Sequence, residues 1–366
     1  MLKITSLRKE LKEAGLLERR EGATWLKLGF LFSTFAALTV AQVLLPLWAS
    51  ALLIPVTALF AASCAMMAHE GGHRGLSANK GRNDLMLFSM MTAFGGVSGN
   101  YWRFKHNVQH HVHTNIEYED PDIDVWPMAS TARVYRESNA FRQWFQRNLQ
   151  GYMFWPLTFL LVFSMRVAGV VYLRQRIKDK GLGDADNRMD LLSLVIHVGV
   201  WWVAPILAFG WMGLLFHMAL WMTIGFFEAA VFSPAHMALP VLTDHDDKWR
   251  LQFETTRNLI MPKWLSFFFI GLDYQLEHHL FMRAPHQNMA KIAEYTRRWA
   301  AERDLPYYVV DYGKSLLDVT HYMHHAWRLE AVGQHTQDQW TLRRSEVDLT
   351  AQANQKAPDG PVAYAA

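Results

Sequence analysis

The spacing of its histidines constrains this chain more than any other feature. Three short segments, which we call boxes, hold them: MAHEGGH contains His69 and His73, YWRFKHNVQHHVHTN contains the second box, and QLEHH contains the third. Residues four apart lie on one face of a helix, so His69 and His73 can direct both imidazoles at one point. Box one therefore predicts a pair of nitrogen ligands at the end of a helix.

Box two adds His106, His110 and His111, and box three adds His278 and His279. The spacing of His106 and His110 predicts that these two also meet at one point. A step of one residue turns a helix by about 100°, so the adjacent pair in box two suits two neighbouring metal ions better than one. Seven histidines exceed what one tetrahedral ion can use, and we therefore expect a two-metal site built from imidazoles.

Composition narrows the possible environments. Of the 366 residues, 51% are hydrophobic, and these are concentrated in long runs that are typical of a membrane protein. The formal net charge of +3 gives no argument for nucleic-acid binding, and no nucleic-acid partner is expected. Cys64 is the single cysteine, which excludes an internal disulfide and a cysteine-based metal site. The charged start of the chain does not resemble a signal peptide.

The apolar runs predict an all-α membrane protein with four transmembrane helices in two hairpins. The expected spans are residues 28–45, 47–67, 191–209 and 211–232. The apolar segments 84–99 and 152–173 are expected to be buried, re-entrant or interfacial, because box three must return to the side of the membrane that holds the other boxes. A helical cap, formed by residues 69–190 and 233–330, would then carry all three boxes.

Charge distribution predicts the orientation and the ends of the domain. Lys and Arg are abundant near the N-terminus and in residues 133–190 and absent from both hairpin tips, which places the cap, the boxes and both termini on the cytoplasmic side. Residues 1–24 are expected to form an amphipathic helix followed by a short joint, before a membrane domain at 25–330. Residues 331–366 are expected to be a disordered tail, because they are polar and lack periodicity.

Box one also permits a different reading. HEGGH matches the H-E-x-x-H pattern of zinc proteases, in which Glu70 would be the general base. Boxes two and three would then be unexplained, and Gly71 and Gly72 weaken the helix that such a motif needs. A further cluster, His321-Tyr322-Met323-His324-His325, is expected to lie on the surface. The acidic turn EDPDID at residues 119–124 could orient ligating imidazoles or could simply be solvated.

The ordered boxes resemble those of the membrane fatty acid desaturase family over roughly residues 25–310. The segments QLEHHLF and HNVQHHVHTN are similar to those of the front-end, linoleoyl-CoA desaturase-like subfamily. In QLEHHLF, this chain has Gln275 at the position where many members of the wider family have histidine. The resemblance implies two iron ions (Fe2+/Fe3+), O₂, and two electrons from NAD(P)H through a separate carrier of the ferredoxin or cytochrome b5 type. It implies an acyl-CoA or acyl-lipid substrate embedded in a lipid bilayer.

Carried over to this chain, the family's ligands are the seven boxed histidines and one more: His69, His73, His106, His110, His111, His236, His278 and His279. Glu70 replaces the aspartate common in box one, and Glu70 and Gln275 are expected beside the ligands. An asparagine that some relatives carry before the eighth histidine is absent, since Phe232 and Ser233 occupy that neighbourhood. No fused cytochrome b5 motif is present, so the donor is expected to be separate. A lipid hydroxylase on the same scaffold and the zinc protease remain the alternatives.

Overall fold

The structure, a computed structural model, describes residues 1–333 and is mainly helical. Its α-helices are α1 (Thr5–Glu13), α2 (Glu21–Leu44), α3 (Leu47–Gly72), α4 (Lys80–Leu87), α5 (Gly99–Trp102), α6 (Ala132–Glu137), α7 (Ala140–Asn148), α8 (Gln150–Thr158), α9 (Leu161–Lys180), α10 (Ala185–His197), α11 (Ala204–His236), α12 (Lys248–Thr255), α13 (Lys263–Phe269), α14 (Gln275–Leu280), α15 (Met289–Ala301) and α16 (Tyr312–His325). Phe88–Phe94, Arg103–His110 and Val198–Val203 are π-helical, His286–Asn288 and Ala326–Arg328 are 3₁₀ turns, and the strands are β1 (Arg257–Ile260) and β2 (Tyr308–Asp311).

The first predicted hairpin consists of α2 and α3. Pro46 separates the two helices, because proline lacks the N–H that would continue α2 and fits directly before the first residue of α3. The hydroxyl of Ser50 donates to the carbonyl of Gln42 at 2.6 Å, and Thr57 donates to the Gln42 side chain at 3.2 Å. These bonds tie the two arms together. The last turn of α3 extends beyond the predicted end of the span and carries box one.

The second predicted hairpin has its turn at Gly210, as the sequence indicates. Gly210 has a φ of 58°, a left-handed conformation that glycine adopts without steric cost, and this residue interrupts α11. The chain reverses there, since the rings of Trp202 and His217 are 4.3 Å apart and those of Trp201 and Trp221 are 6.0 Å apart. The stretch Ala185–His236 is therefore two antiparallel arms rather than one straight helix.

Within residues 1–333, three helical stretches are long and apolar enough to cross a membrane: α2, α3 and the stretch from α10 to α11. The pair α8 and α9 passes the same test together but is bent by 70° between its two parts. This bend lies in the segment 152–173, which the sequence assigned to the interface or the interior. Each arm of the second hairpin has about the ~20 residues that one crossing needs.

In the segments outside these long helices, the all-α expectation needs a correction. β1 and β2 pair in parallel, with Arg257 opposite Tyr308 and Ile260 opposite Asp311. Apolar periodicity over long windows does not detect four-residue strands. In this part of the cap, Leu7 and Leu11 of α1 are buried in a cluster with Trp299 of α15.

At the N-terminal end, α1 covers Thr5–Glu13 and a short joint leads to α2, which begins at Glu21, four residues before the expected start of the membrane domain at residue 25. At the other end, Val332 is buried and its N–H donates to the carbonyl of Val241 at 2.9 Å. The rest of the expected tail, from Gln334 onward, lies outside the described residues.

Candidate metal centre

Box one lies at the end of α3, where two glycines permit close packing. A Cβ at Gly72 would lie 2.1 Å from the indole of Trp102, and one at Gly71 would lie 2.7 Å from the carbonyl of Asn83. The helix continues to Gly72 although it contains two glycines. Glycine is required at both positions, because a larger side chain would displace the neighbouring residues. The Nε2 atoms of His69 and His73 are 3.3 Å apart, so the structure brings these two imidazoles together.

Box two is wound as a π-helix over Arg103–His110, which alters the predicted geometry. The rings of His106 and His110 are stacked, with centroids 5.3 Å apart. Their ligand atoms lie within 4.8 Å of each other and of a carboxylate oxygen of Asp122, so the two side chains meet as their spacing predicts, although the segment is π-helical and not α-helical. Each of the two also belongs to a separate group of histidines.

The histidines form two adjacent groups. In the first group, potential ligand atoms of four residues all lie within 4.8 Å of one another: His69, His73, His106 and His278. The Nε2 of His111 is 3.1 Å from the Nε2 of His106 and 3.1 Å from that of His278, so it joins this group. In the second group, potential ligand atoms of three residues also lie within 4.8 Å of one another: His110, His236 and His279.

His110 and His111 thus belong to different groups, which is the separation that their adjacency predicts for two metal ions. The two groups border each other, because the rings of His111 and His279 are 4.2 Å apart. All eight predicted ligands are brought together, and each is 7% exposed or less.

The Gln275 side chain completes the second group. Its amide nitrogen is placed 2.9 Å from Nε2 of His236 and 3.3 Å from Nε2 of His279, while its oxygen has no hydrogen-bond partner among the described residues. Amide oxygen and nitrogen are distinguished by the surrounding bonds, and a 180° flip would direct the oxygen at the two imidazoles. Gln275 therefore offers an oxygen where a fourth donor is needed.

The nitrogen positions fit metal ions. In the first group the neighbouring Nε2 atoms are 3.0 to 3.3 Å apart. Nitrogens that surround a common ion at about 2.0–2.1 Å are themselves about 2.8–3.0 Å apart in octahedral geometry and about 3.3–3.4 Å apart in tetrahedral geometry. Neutral imidazoles at these distances cannot all satisfy one another by sharing protons, because each has only one N–H. A cation between them satisfies the lone pairs.

Electrostatics keeps these imidazoles in the form that binds metals. Four imidazoles have a pKa well below the ordinary value of 6.5: His106, His111, His278 and His279. Burial is the largest cause of this lowering, and the neighbouring imidazoles add to it. A neutral imidazole has a free nitrogen lone pair, whereas a protonated one has none. The site is therefore preorganised as a set of neutral donors.

Outer hydrogen bonds fix the orientation of the second group. Nδ1 of His110 is 3.0 Å from a carboxylate oxygen of the fully buried Asp120, within the acidic turn that the sequence singled out. Nδ1 of His279 is 2.7 Å from the side-chain oxygen of Gln252, and Nδ1 of His236 is 3.4 Å from the carbonyl of Thr255. Each contact directs Nε2 of the ring into the group.

Several of these supporting residues escaped the sequence analysis. Gln252 and Thr255 lie on α12, which has no motif of its own. Glu277, within box three, accepts from Tyr307 at 2.9 Å and from Asn258 at 2.7 Å, and these bonds hold α14 against the β1–β2 pair. Burial raises the pKa of Glu277 to about 7. Only its position between the box-three residues could have identified it.

The zinc-protease reading loses its geometric basis. A carboxylate oxygen of Glu70 is 2.8 Å from Nδ1 of His286, and Thr24 donates to the same carboxylate at 3.4 Å. Glu70 is absent from every potential metal group within residues 1–333. Its carboxylate is engaged beside box one rather than in either histidine group, so it is not placed as a general base for a metal-bound water.

Several described histidines lie outside both groups. The cluster at residues 321–325 is on α16 and enters neither group. His113 is partly exposed and pairs with Glu119 at the surface. His197 lies in the second hairpin, and its Nδ1 is 3.0 Å from the carbonyl of Phe94.

The fold and the site define a class: an apolar, helical membrane protein with two adjacent histidine groups suited to two metal ions. The family described as "Fatty acid desaturase" matches residues 46–311, and this chain belongs to that family. The expected resemblance is thereby confirmed.

Three relatives show how this chain compares. It is 26% identical over 259 residues to the mouse "Fatty acid desaturase 2-like protein FADS2B", covering 67% of this chain and 50% of the relative. It is 27% identical over 260 residues to the Caenorhabditis elegans "Delta(5) fatty acid desaturase fat-4", covering 67% of this chain and 57% of the relative. It is 25% identical over 270 residues to the "Delta(6)-fatty-acid desaturase fat-3" of the same organism, covering 67% of this chain and 58% of the relative. The chain spans about half to three-fifths of the length of these relatives.

Proposed function

We propose that this protein is a membrane di-iron desaturase that inserts a cis double bond into a fatty acyl chain. The observation that carries the proposal is the pair of bordering groups formed by eight buried histidines. Imidazole donors alone would accept zinc, copper, nickel or iron, so the choice of iron comes from the family. Iron bound there supplies the activation of O₂ and the oxidation of an unactivated methylene.

The overall reaction balances with two external electrons. A –CH₂–CH₂– unit, one O₂, two electrons and two protons give –CH=CH– and two molecules of water. We propose that a carrier of the ferredoxin or cytochrome b5 type, reduced by NAD(P)H, delivers the electrons. The substrate is an acyl-CoA or an acyl lipid. The names of the relatives, with Delta(5) and Delta(6) positions, support insertion near the carboxyl end, as in front-end enzymes.

The protein's own residues do three things in this reaction. They hold neutral imidazoles in two groups, through contacts such as those of Asp120 and Gln252. They exclude bulk water, since the eight histidines are nearly inaccessible. They also border the site with apolar side chains, and the ring of Phe232 lies 6.3 Å from that of His69. A misplacement of the reacting carbon by ~1 Å would cost ~10²-fold in rate, so this rigidity matters.

We further propose four membrane crossings, two in each hairpin, with the cap and both termini in the cytoplasm. The reversal at Gly210 and the length of each arm support the second hairpin. The positive charges near α1 and in residues 133–190 support the orientation.

The test is the fatty-acid profile of host cells that express the protein, with double bonds located by mass spectrometry. His110→Ala removes a member of the second group. His113→Ala is the matched control, because it removes a surface histidine from the same segment. A new alkene with the wild type and the control, but not with His110→Ala, supports the proposal. A hydroxylated product would instead support the lipid hydroxylase. Zinc-loaded protein without a new product would refute the di-iron desaturase.

A further inference from the structure

The proposed reaction needs two electrons per double bond, and they must enter a centre that is closed to solvent. The nearest surface follows directly from box one. His73 is 5% exposed, whereas the next residue, Arg74, is exposed. Gly75 then packs against a second exposed arginine, since a Cβ at Gly75 would lie 3.4 Å from Cα of Arg283. The segments around Arg74 and Arg283 therefore meet beside the first histidine group.

A third arginine extends this surface. The guanidinium carbon of Arg8 on α1 lies 5.6 Å from the ring of Phe281, two residues before Arg283. We call Arg8, Arg74 and Arg283 the arginine patch. All three are exposed, and none forms an ion pair with another described residue. Met282, beside Arg283, adds an apolar contact because 37% of its surface is exposed. The patch thus has uncompensated positive charge around an apolar side chain.

Arg74 occupies this position at a conformational cost. Its φ is 59°, in the left-handed region that is strained for an L-residue and that glycine adopts freely. The turn that ends α3 imposes this conformation, with the N–H of Arg74 bonded to the carbonyl of Gly71 and that of Gly75 bonded to Glu70. Glycine would fit this backbone conformation better than arginine does. We infer that arginine occupies the position because of its guanidinium group.

We propose that the arginine patch is the docking surface for an acidic protein that carries one electron at a time. The inference rests on the proposed function. Two carrier molecules would each be oxidised by one electron per turnover, and the two electrons enter the balanced reaction given above. A donor must approach the metal centre closely, whereas the polar head of an acyl substrate lies several bonds from the reacting carbons. Within the patch, Arg74 is joined by a single peptide unit to His73 of the first group, which favours the donor.

The experiment uses the full-length protein in detergent with two soluble acidic carriers, a [2Fe–2S] ferredoxin and the haem domain of a cytochrome b5. The variants are Arg74→Gly, which removes the charge and relieves the backbone, and the double variant Arg74→Glu/Arg283→Glu. Arg174→Glu is the control, because it reverses an exposed arginine on α9, outside the patch. Carrier binding is measured directly, and alkene formation is measured both with the carriers and with dithionite and methyl viologen.

For at least one carrier, we expect the double variant to weaken binding by roughly 10- to 100-fold at low salt, within the ~10- to 10³-fold range of electrostatic steering. Arg74→Gly should weaken it by about 3- to 10-fold without lowering the melting temperature. At 1 M salt, where the Debye length is about 3 Å, the difference between variants should nearly vanish. Arg174→Glu should bind as the wild type does. Turnover with the chemical reductant should be equal in all four proteins.

Other results overturn the proposal. Unchanged carrier binding in the double variant would exclude the patch. A raised KM for acyl-CoA with unchanged carrier binding would assign the patch to the phosphate groups of the substrate. A wild type that uses the chemical reductant but neither carrier would refute an acidic donor while leaving the proposed function intact. A wild type that forms no alkene even with the chemical reductant would refute the proposed function itself.

Discussion

Replacing Asp120 by asparagine removes one carboxylate charge from the outside of the second histidine group. Asp120 is fully buried, and its two oxygens accept from three groups: Nδ1 of His110 at 3.0 Å, the N–H of Asn115 at 2.8 Å and the N–H of Asp122 at 2.9 Å. The oxygens accept from different backbone groups. An amide, with one oxygen and one NH₂, therefore leaves a buried donor facing another donor.

The size of the effect follows from these contacts. One buried donor without an acceptor costs about 1–3 kcal/mol. Loss of a carboxylate behind a metal-bound imidazole typically lowers metal affinity or activity by about 10- to 100-fold. We therefore expect Asp120→Asn to lower the free energy of unfolding by about 1–3 kcal/mol and to lower iron affinity by about 10- to 100-fold. Alkene formation should fall in parallel.

The assay measures iron per chain after dialysis against a graded series of chelator concentrations, together with thermal unfolding. Asp124→Asn is the matched control, because Asp124 is an exposed acid in the same turn. It should retain wild-type iron affinity and stability. If Asp120→Asn holds iron as tightly as Asp124→Asn does, Asp120 does not orient His110 and this reasoning is wrong.

Three further predictions concern packing, the second group and pH. Gly72→Ala should lower the melting temperature, because its Cβ would overlap Trp102 and overpacking costs about 1–3 kcal/mol; Gly29→Ala, with open space around it, should not lower it. Gln275→Ala should lower iron content and activity more than stability, and equal iron in variant and wild type would exclude Gln275 from the group. Iron-free protein should lose stability as the pH falls below about 6.5, because histidines bind protons in the unfolded chain but stay neutral when buried in the folded protein. Each of His106, His111, His278 and His279 contributes up to about 1.4 kcal/mol of lost unfolding free energy per pH unit. Unfolding midpoints between pH 7.5 and 5.5 measure this loss, His321→Gln should retain it, and a flat profile would contradict it.

Much of the site could be predicted from the sequence, because most of its histidines lie at short, regular spacings within the three boxes. The pair His69 and His73 converges as α-helical spacing requires. The division of His110 and His111 between two groups also follows from adjacency. The hairpin turn at Gly210 was predictable because a glycine interrupts an otherwise continuous apolar run.

Other features depend on contacts that local patterns do not encode. Box two is wound as a π-helix and not as an α-helix, and no residue in that segment indicates i→i+5 bonding. Gln252 reaches His279 from α12, 27 residues earlier in the chain, so only the fold reveals the contact. The β1–β2 pair consists of four-residue strands, too short for a periodic signal.

The proposed function requires two histidine groups that hold two iron ions in one chain. The most direct measurement is the metal content of purified wild-type protein beside His73→Ala and His279→Ala, which remove one imidazole from each group. We expect about two irons per wild-type chain, a loss of iron in each variant, and no alkene product from either. One zinc ion per chain, or two irons and an unchanged product in both variants, would contradict the proposed function.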